Sequence, residues 1–139
     1  MKVLMAGNLG PTRAQDEGLT EELRRAFPDV TFELAGTNED QLGQVRDVEV
    51  YSGWPTREVF LAAEQLRWLH IPGTGIDKEV FGIPEFAESD VVVTNCRGPH
   101  ADPMADHVIG MMVTLAHRLR DQWDDQRAGQ WDMAKYDHT

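Results

Sequence analysis

The chain is short of cysteine, lysine and long apolar runs, and each shortage excludes something. Of its 139 residues a single one is cysteine, Cys96. An internal disulfide is therefore excluded, which suits a reducing cytosol. Apolar stretches reach only a few residues, whereas a spanning helix needs about 20. The opening Met1-Lys2-Val3-Leu4-Met5-Ala6-Gly7 is too short for a signal peptide and reads as a first strand. A cytoplasmic location is the expectation. Lysine occurs only at Lys2, Lys78 and Lys135, beside ten arginines. Against these bases stand 24 Asp and Glu, giving a net charge of −11. The excess is even: 12 acids and 7 bases up to residue 70, 12 acids and 6 bases beyond it. No basic footprint for nucleic acid or an anionic membrane is present. An evenly acidic, lysine-poor surface suits very high salt, where screening removes self-repulsion, and equally an ordinary acidic cytosolic protein.

Also missing is any Gly-x-Gly-x-x-Gly fingerprint. The nearest approach is Gly73-Thr74-Gly75-Ile76-Asp77, directly after the apolar run Trp68-Leu69-His70-Ile71. A strand that ends in a Gly-x-Gly turn presents bare backbone N–H groups, which form an anion-binding concavity. A dinucleotide site needs a third glycine three positions on, and that position holds Lys78. The turn therefore suits a small anion such as a carboxylate better than a pyrophosphate.

What the chain does have is alternation. Strands are expected at Lys2–Gly7, Val30–Leu34, Val48–Tyr51, Leu66–Ile71 and Val91–Asn95. Helices are expected over Asp16–Phe27, near Glu39–Gln44, and over Thr56–Glu64 with Pro55 in the first turn. This order predicts an α/β fold, a flavodoxin-like parallel five-stranded sheet with flanking helices. Ligands in such sheets gather at the carboxyl ends of the strands. The loops there are Gly7–Pro11, Ser52–Pro55, Pro72–Asp77 and Cys96–Pro99. The last third reads as one long helix. Asp102 is its N-cap, Pro103 its first residue, and Asp106 lies in the first turn. Met104, Val108, Met111, Leu115 and Leu119 recur at helical spacing, and the pattern runs to Ala128 before the cap at Gly129.

Four segments fall in a telling order: Leu66-Arg67-Trp68-Leu69-His70 with Gly73-Thr74-Gly75-Ile76-Asp77; Val93-Thr94-Asn95 with Arg97-Gly98; Pro103-Met104-Ala105-Asp106-His107 with the apolar helix to Arg118; and Gly129-Gln130-Trp131. Together they resemble the N-terminal domain of the D-isomer-specific 2-hydroxyacid dehydrogenases. The resemblance covers residues 45–132 well and the first strands loosely. It implies a flavodoxin-like substrate domain over 1–100, an interdomain and dimerisation helix over 101–129, and over 130–139 the start of a linker to a Rossmann domain absent from this chain. It also implies an NAD(P)-dependent parent that interconverts a D-2-hydroxy acid and a 2-keto acid by hydride transfer.

In that family the catalytic arginine, glutamate and histidine belong to the Rossmann domain, so the resemblance implies no catalytic residue here and no NAD or NADP bound by this chain alone. It assigns the substrate carboxylate to Gly73, Thr74 and Gly75. Ser52, Gly53 and Trp54 match the loop over the substrate side chain, and Met104 and Ala105 lie near the nicotinamide. It also implies a homodimer through the 103–119 helix. Two departures stand out: Asp106 where glutamate is usual, and Thr74 where alanine is commoner. The rival reading is a stand-alone flavodoxin-like module that binds carboxylates or regulates, without catalysis.

Plainer readings compete at single residues. His100 and His107 lack a third ligand at coordinating spacing, so no metal site is expected. Nothing in the sequence sets a base beside Cys96, which favours a packed thiol over a nucleophile. Trp54 lines a pocket or fills core. The Met104, Met111 and Met112 stripe is core or subunit interface. Asn8 to Pro11 touches substrate or is a plain loop.

Overall fold

The computed structural model describes residues 1–7, 13–77 and 82–136, without the side chains of residues 13 and 14. The loop expected at Gly7–Pro11 lies outside them from residue 8 on, as does position 78. By its packing the chain divides into two units, Met1–Arg97 and Gly98–Thr139.

In the first unit strands and helices alternate: β1 Lys2–Ala6, α1 Arg13–Ala26, β2 Thr31–Ala35, α2 Asn38–Gln44, β3 Val50–Ser52, α3 Arg57–Ala62, β4 Trp68–Ile71 and β5 Val92–Asn95. Short 3-10 turns occupy Val45–Asp47 and Pro84–Glu88. The five strands form one all-parallel sheet in the order β2-β1-β3-β4-β5. This is the flavodoxin-like order, with its switch point between β1 and β3.

Some expected boundaries move, each for a local reason. The third strand begins at Val50 instead of Val48, because Val48 N–H closes the Val45–Asp47 turn on Val45 O at 3.2 Å. The fourth begins at Trp68 instead of Leu66, whose N–H closes a turn on Ala63 O. The third helix is capped by Thr56, whose hydroxyl accepts from Val59 N–H, so Pro55 stands just outside it. Thr37 caps α2 in a reciprocal box with Asp40.

Alternate residues of a strand face opposite sides of a sheet. One face presents Leu4, Ala6, Tyr51, Leu69 and Ile71, all buried against Val45, Val48 and Val59. Each large side chain removed from water there contributes on the order of 2 kcal/mol. Burial pushes the Tyr51 phenol pKa up, and its hydroxyl donates to Gln41 Oε1 at 2.8 Å. The other face presents Val3, Met5, Phe32 and Val50, packed with Leu23 of α1. Arg24 on the same helix donates twice to Phe32 O, at 3.0 and 2.7 Å, and so ties α1 to the edge strand β2. Further along this second face Trp68, Val92 and Thr94 stand exposed.

The second unit departs from the single helix expected to reach Ala128. It has α4 Ala101–Ala116, a break, α5 Leu119–Arg127 and a 3-10 turn Met133–Tyr136. The break is at Arg118, which takes a left-handed φ of 50°. Side chains hold the bend: Gln122 Nε2 donates to His117 O at 2.6 Å, and Arg118 pairs with Asp121 and donates to Lys135 O. The helix start is also corrected. Its N-cap is His100, without a side-chain bond. Asp102 and Pro103 lie inside the first turn, where a proline removes no helical hydrogen bond. Asp106 is then the sixth residue of the helix, two positions later than expected and too far along to cap. Gly129 does take the left-handed conformation of a helix stop, φ 66°.

Candidate functional site

The carboxyl ends of β3, β4 and β5 bring three of the expected loops together. Ser52 ends β3 and is buried. Gly53 follows with φ 145° and donates its N–H to His70 O at 2.9 Å, stitching the loop to β4. Trp54 is 42% exposed. Its indole lies against Gly73, where an added Cβ would meet Trp54 Cζ2 at 3.1 Å. So the Ser52–Trp54 loop and the glycine turn, eighteen or more residues apart in sequence, are neighbours.

The turn itself is oriented from the β5 side. Gly73 O accepts from Cys96 N–H at 3.0 Å. Thr74 O accepts from Asn95 Nδ2 at 2.7 Å. Both carbonyls therefore point toward the end of β5. In a trans peptide the N–H points opposite to the C=O, and no cis bond occurs among the described residues. The N–H groups of Thr74 and Gly75 consequently point away from β5, and neither donates to an acceptor among the described residues. Two adjacent, similarly directed backbone donors at a strand end form the kind of concavity that takes an anion oxygen. Gly75 lies in the open: an added Cβ would touch only Asp77 Oδ2, at 3.5 Å. Thr74 Oγ1 reaches back to Cys96 O at 3.4 Å.

The other expected residues fall elsewhere. Met104 and Ala105 stand exposed on α4 in the second unit. The methionine stripe is not core: Met104, Met111 and Met112 are exposed with Val108, Ile109 and Leu115. No group of three His, Cys, Asp or Glu side chains among the described residues could hold a metal ion. No helix there is long and apolar enough to cross a membrane. A cavity of about 1050 Å³ in the second unit is lined by Trp123, Trp131 and Tyr136, with Asp125 and Asp132 facing it. Its carboxylates make it a poor carboxylate site.

Sequence reasoning missed the row beneath the turn. His70 Nε2 is 3.6 Å from Cys96 Sγ, so a base does stand beside the thiol, contrary to expectation. Thr94 Oγ1 lies 2.9 Å from His70 Nδ1 and accepts from Trp68 Nε1 at 2.9 Å. The signal was present in strand parity: in register His70 pairs with Thr94 and Trp68 with Val92, so 68, 70, 94 and 96 share one face.

No family model matches the chain. Solved structures do match its fold. A D-isomer specific 2-hydroxyacid dehydrogenase family protein from Aeromonas salmonicida subsp. salmonicida A449 superposes with a TM-score of 0.72 at 19% identity, over 94% of this chain and 40% of that one. An NAD-dependent formate dehydrogenase from Staphylococcus aureus, in complex with NAD, gives 0.67 at 17% identity, over 98% and 43%. A D-lactate dehydrogenase from Aquifex aeolicus, complexed with NAD and lactic acid, gives 0.66 at 16% identity, over 94% and 38%. The chain thus spans about two fifths of the length of each. In fold it is similar to the D-isomer-specific 2-hydroxyacid dehydrogenases, the family that its motifs resemble.

Proposed function

We propose that the chain belongs to the D-isomer-specific 2-hydroxyacid dehydrogenase family and supplies the substrate-carboxylate part of an NAD(P)-dependent oxidoreductase. In this reading the parent enzyme interconverts a D-2-hydroxy acid and a 2-keto acid. The observation that carries it is the pair of outward N–H groups at Thr74 and Gly75, held by the carbonyl bonds to Cys96 and Asn95. They would grip the carboxylate common to both substrate forms. Trp54, lying against Gly73, would bound the space beside it. Ser52 roots that loop on β3, and the Gly53 N–H ties it to His70 O of β4.

The residues present do not fit a dinucleotide. The turn has two glycines where a pyrophosphate cradle uses three. A nicotinamide cofactor, which accepts or delivers the hydride in this reaction class, would be held by residues other than these. Met104 and Ala105 are proposed to lie near it in the parent, and α4 to carry a homodimer interface. The 139-residue chain by itself should turn over nothing.

The test is amide NMR of the isotope-labelled chain titrated with lactate and pyruvate, alongside a cofactor assay. Saturable shifts confined to Gly53 and Gly73–Gly75, with no NADH or NADPH oxidation, are expected. Shifts scattered over the surface, or none at millimolar ligand, would remove the carboxylate site. Steady turnover by the purified chain would remove the division of labour.

A further inference from the structure

The side chains of Trp68, His70, Thr94 and Cys96 form a hydrogen-bonded row on the open half of the sheet, and the proposed carboxylate site uses none of them. Cys96 Sγ and His70 Nε2 are 3.6 Å apart, within reach for a thiol bonded to an imidazole. His70 Nδ1 is fixed on the other side by Thr94 Oγ1 at 2.9 Å. The hydroxyl of Thr94 is itself held by Trp68 Nε1–H. A nucleophile, a base within hydrogen-bond reach and a third group that orients the base are the geometry through which a thiol can be activated. Among the described residues no carboxylate or further cation bonds to either ring nitrogen or to the sulfur, so the imidazole is the one proton acceptor in place. Cys96 is half-buried and Thr94 exposed, which leaves a path for a small reagent.

The backbone of Cys96 adds a consequence. Its N–H donates to Gly73 O and its C=O accepts from Thr74 Oγ1. The same residue thus carries the thiol and anchors the glycine turn.

We propose that Cys96 is a modification site for hydroperoxides, with His70 as proton acceptor and Thr94 as positioning residue, and that its oxidation moves the Gly73–Gly75 turn. The sulfur attacks the outer oxygen of the peroxide. An S–O bond forms and the O–O bond breaks. The thiol proton passes to His70 Nε2 and then to the departing oxygen, which leaves as water or an alcohol. Sulfur is oxidised by two electrons to the sulfenic acid and the peroxide is reduced by two.

The test uses the whole chain and hydrogen peroxide. Loss of free thiol is followed against pH for the wild type, His70→Gln, Thr94→Val and Thr94→Ser, with intact mass to count added oxygens. An ordinary thiol with pKa near 8.5 is about 3% ionised at pH 7, so full activation can raise the rate by up to about thirtyfold. His70→Gln should slow oxidation at pH 7 by between about three- and thirtyfold, and the gap should close above pH 9.5, where any thiol ionises. Thr94→Val should slow it less, and Thr94→Ser should restore the wild-type rate. Oxidation should shift the amide resonances of Gly73 and Gly75 in the wild type, and peroxide should leave them unmoved in Cys96→Ser. Circular dichroism identical to wild type confirms that each variant folds. If folded His70→Gln reacts at the wild-type rate at every pH, His70 is no base. If oxidised wild type keeps its turn resonances, the coupling to the turn is wrong.

Discussion

Gly53→Ala is the sharpest perturbation the structure offers, because the new methyl group has nowhere to go. Its Cβ would sit 2.6 Å from Ala6 Cβ and 3.3 Å from Tyr51 Cε1. Carbon atoms rest about 3.5–4.0 Å apart, so one partner must move by roughly an ångström. Ala6 cannot yield cheaply, since it is buried in β1 beneath the loop. Forcing extra volume into packed core costs about 1–3 kcal/mol. A φ of 145° adds roughly another 1–3 kcal/mol for any residue with a Cβ. The sum, about 2–6 kcal/mol, is a large part of the roughly 5–15 kcal/mol that holds a domain folded. For a unit the size of Met1–Arg97 the midpoint of thermal unfolding should fall by at least about 8 °C. Gly75→Ala is the control: its Cβ meets only Asp77 Oδ2 at an ordinary 3.5 Å, so its midpoint should stay within about 3 °C of wild type. Calorimetry of the three chains decides the matter. A Gly53→Ala midpoint within the control's range would refute the packing argument, and so would an equal loss in Gly75→Ala.

Other outcomes follow from the same geometry. Gly75→Val should abolish the lactate and pyruvate shifts at the turn while leaving the unfolding midpoint near that of wild type, because the added methyls fill the space in front of the N–H groups. Arg57 holds the Glu85 carboxyl below its usual range through a paired hydrogen bond; a depressed carboxylate stabilises above about pH 4.3 and stops doing so as pH falls through its lowered value, so Arg57→Gln should flatten the acid limb of the unfolding curve. Lys135 and then Tyr136 hold the Asp125 carboxyl low by hydrogen bonds, while Lys135 is raised. The Met133–Tyr136 turn should therefore lose amide protection, taken relative to the intrinsic exchange rate at each pH, as pH falls below about 4 and as it rises above about 10.5, and Asp125→Asn should show the lost protection at pH 7. Finally, α4 exposes Met112 at 65% and Leu115 at 72%, part of a bare apolar stripe of the kind that drives association. With −11 net charge opposing association at low ionic strength, sedimentation should show a dimer that strengthens toward molar salt, where the Debye length is about 3 Å; a dimer that dissociates with added salt would contradict this.

The sheet was legible because its signals are local. Each strand from Lys2 to Asn95 is a short apolar run closed by glycine, proline or a polar pair, and parallel order follows from the helices between them. Strand boundaries slipped by at most two residues, and by two where a turn claimed the first apolar positions, at Val48 and Leu66. The helix after Gly98 was harder. No proline or glycine marks the break at Arg118. It rests on a bend that Gln122 and Asp121 stabilise from the next helix, and such a partnership does not show in hydrophobic periodicity. The N-cap was misplaced for a similar reason: Asp-Pro is a frequent helix start, but here the Gly98–Ala101 turn starts it sooner.

The site divides along the same line. The turn was visible as Gly-x-Gly after a strand, because glycine spacing is a property of the chain alone. What directs its N–H groups was not, because the two bonds that do so come from Asn95 and Cys96, twenty-one and twenty-three residues on. The same is true of the thiol. A search near Cys96 in sequence finds Arg97, which does not bond to it. The residue that does, His70, becomes its neighbour only when β4 and β5 pair in register. Parity along paired strands turns that register into a rule. Once His70 is set opposite Thr94, Cys96 lies two positions on along the same face, just past the strand end. A cysteine two residues beyond a strand position that faces a histidine is thus a candidate for activation even when nothing adjacent in sequence suggests it.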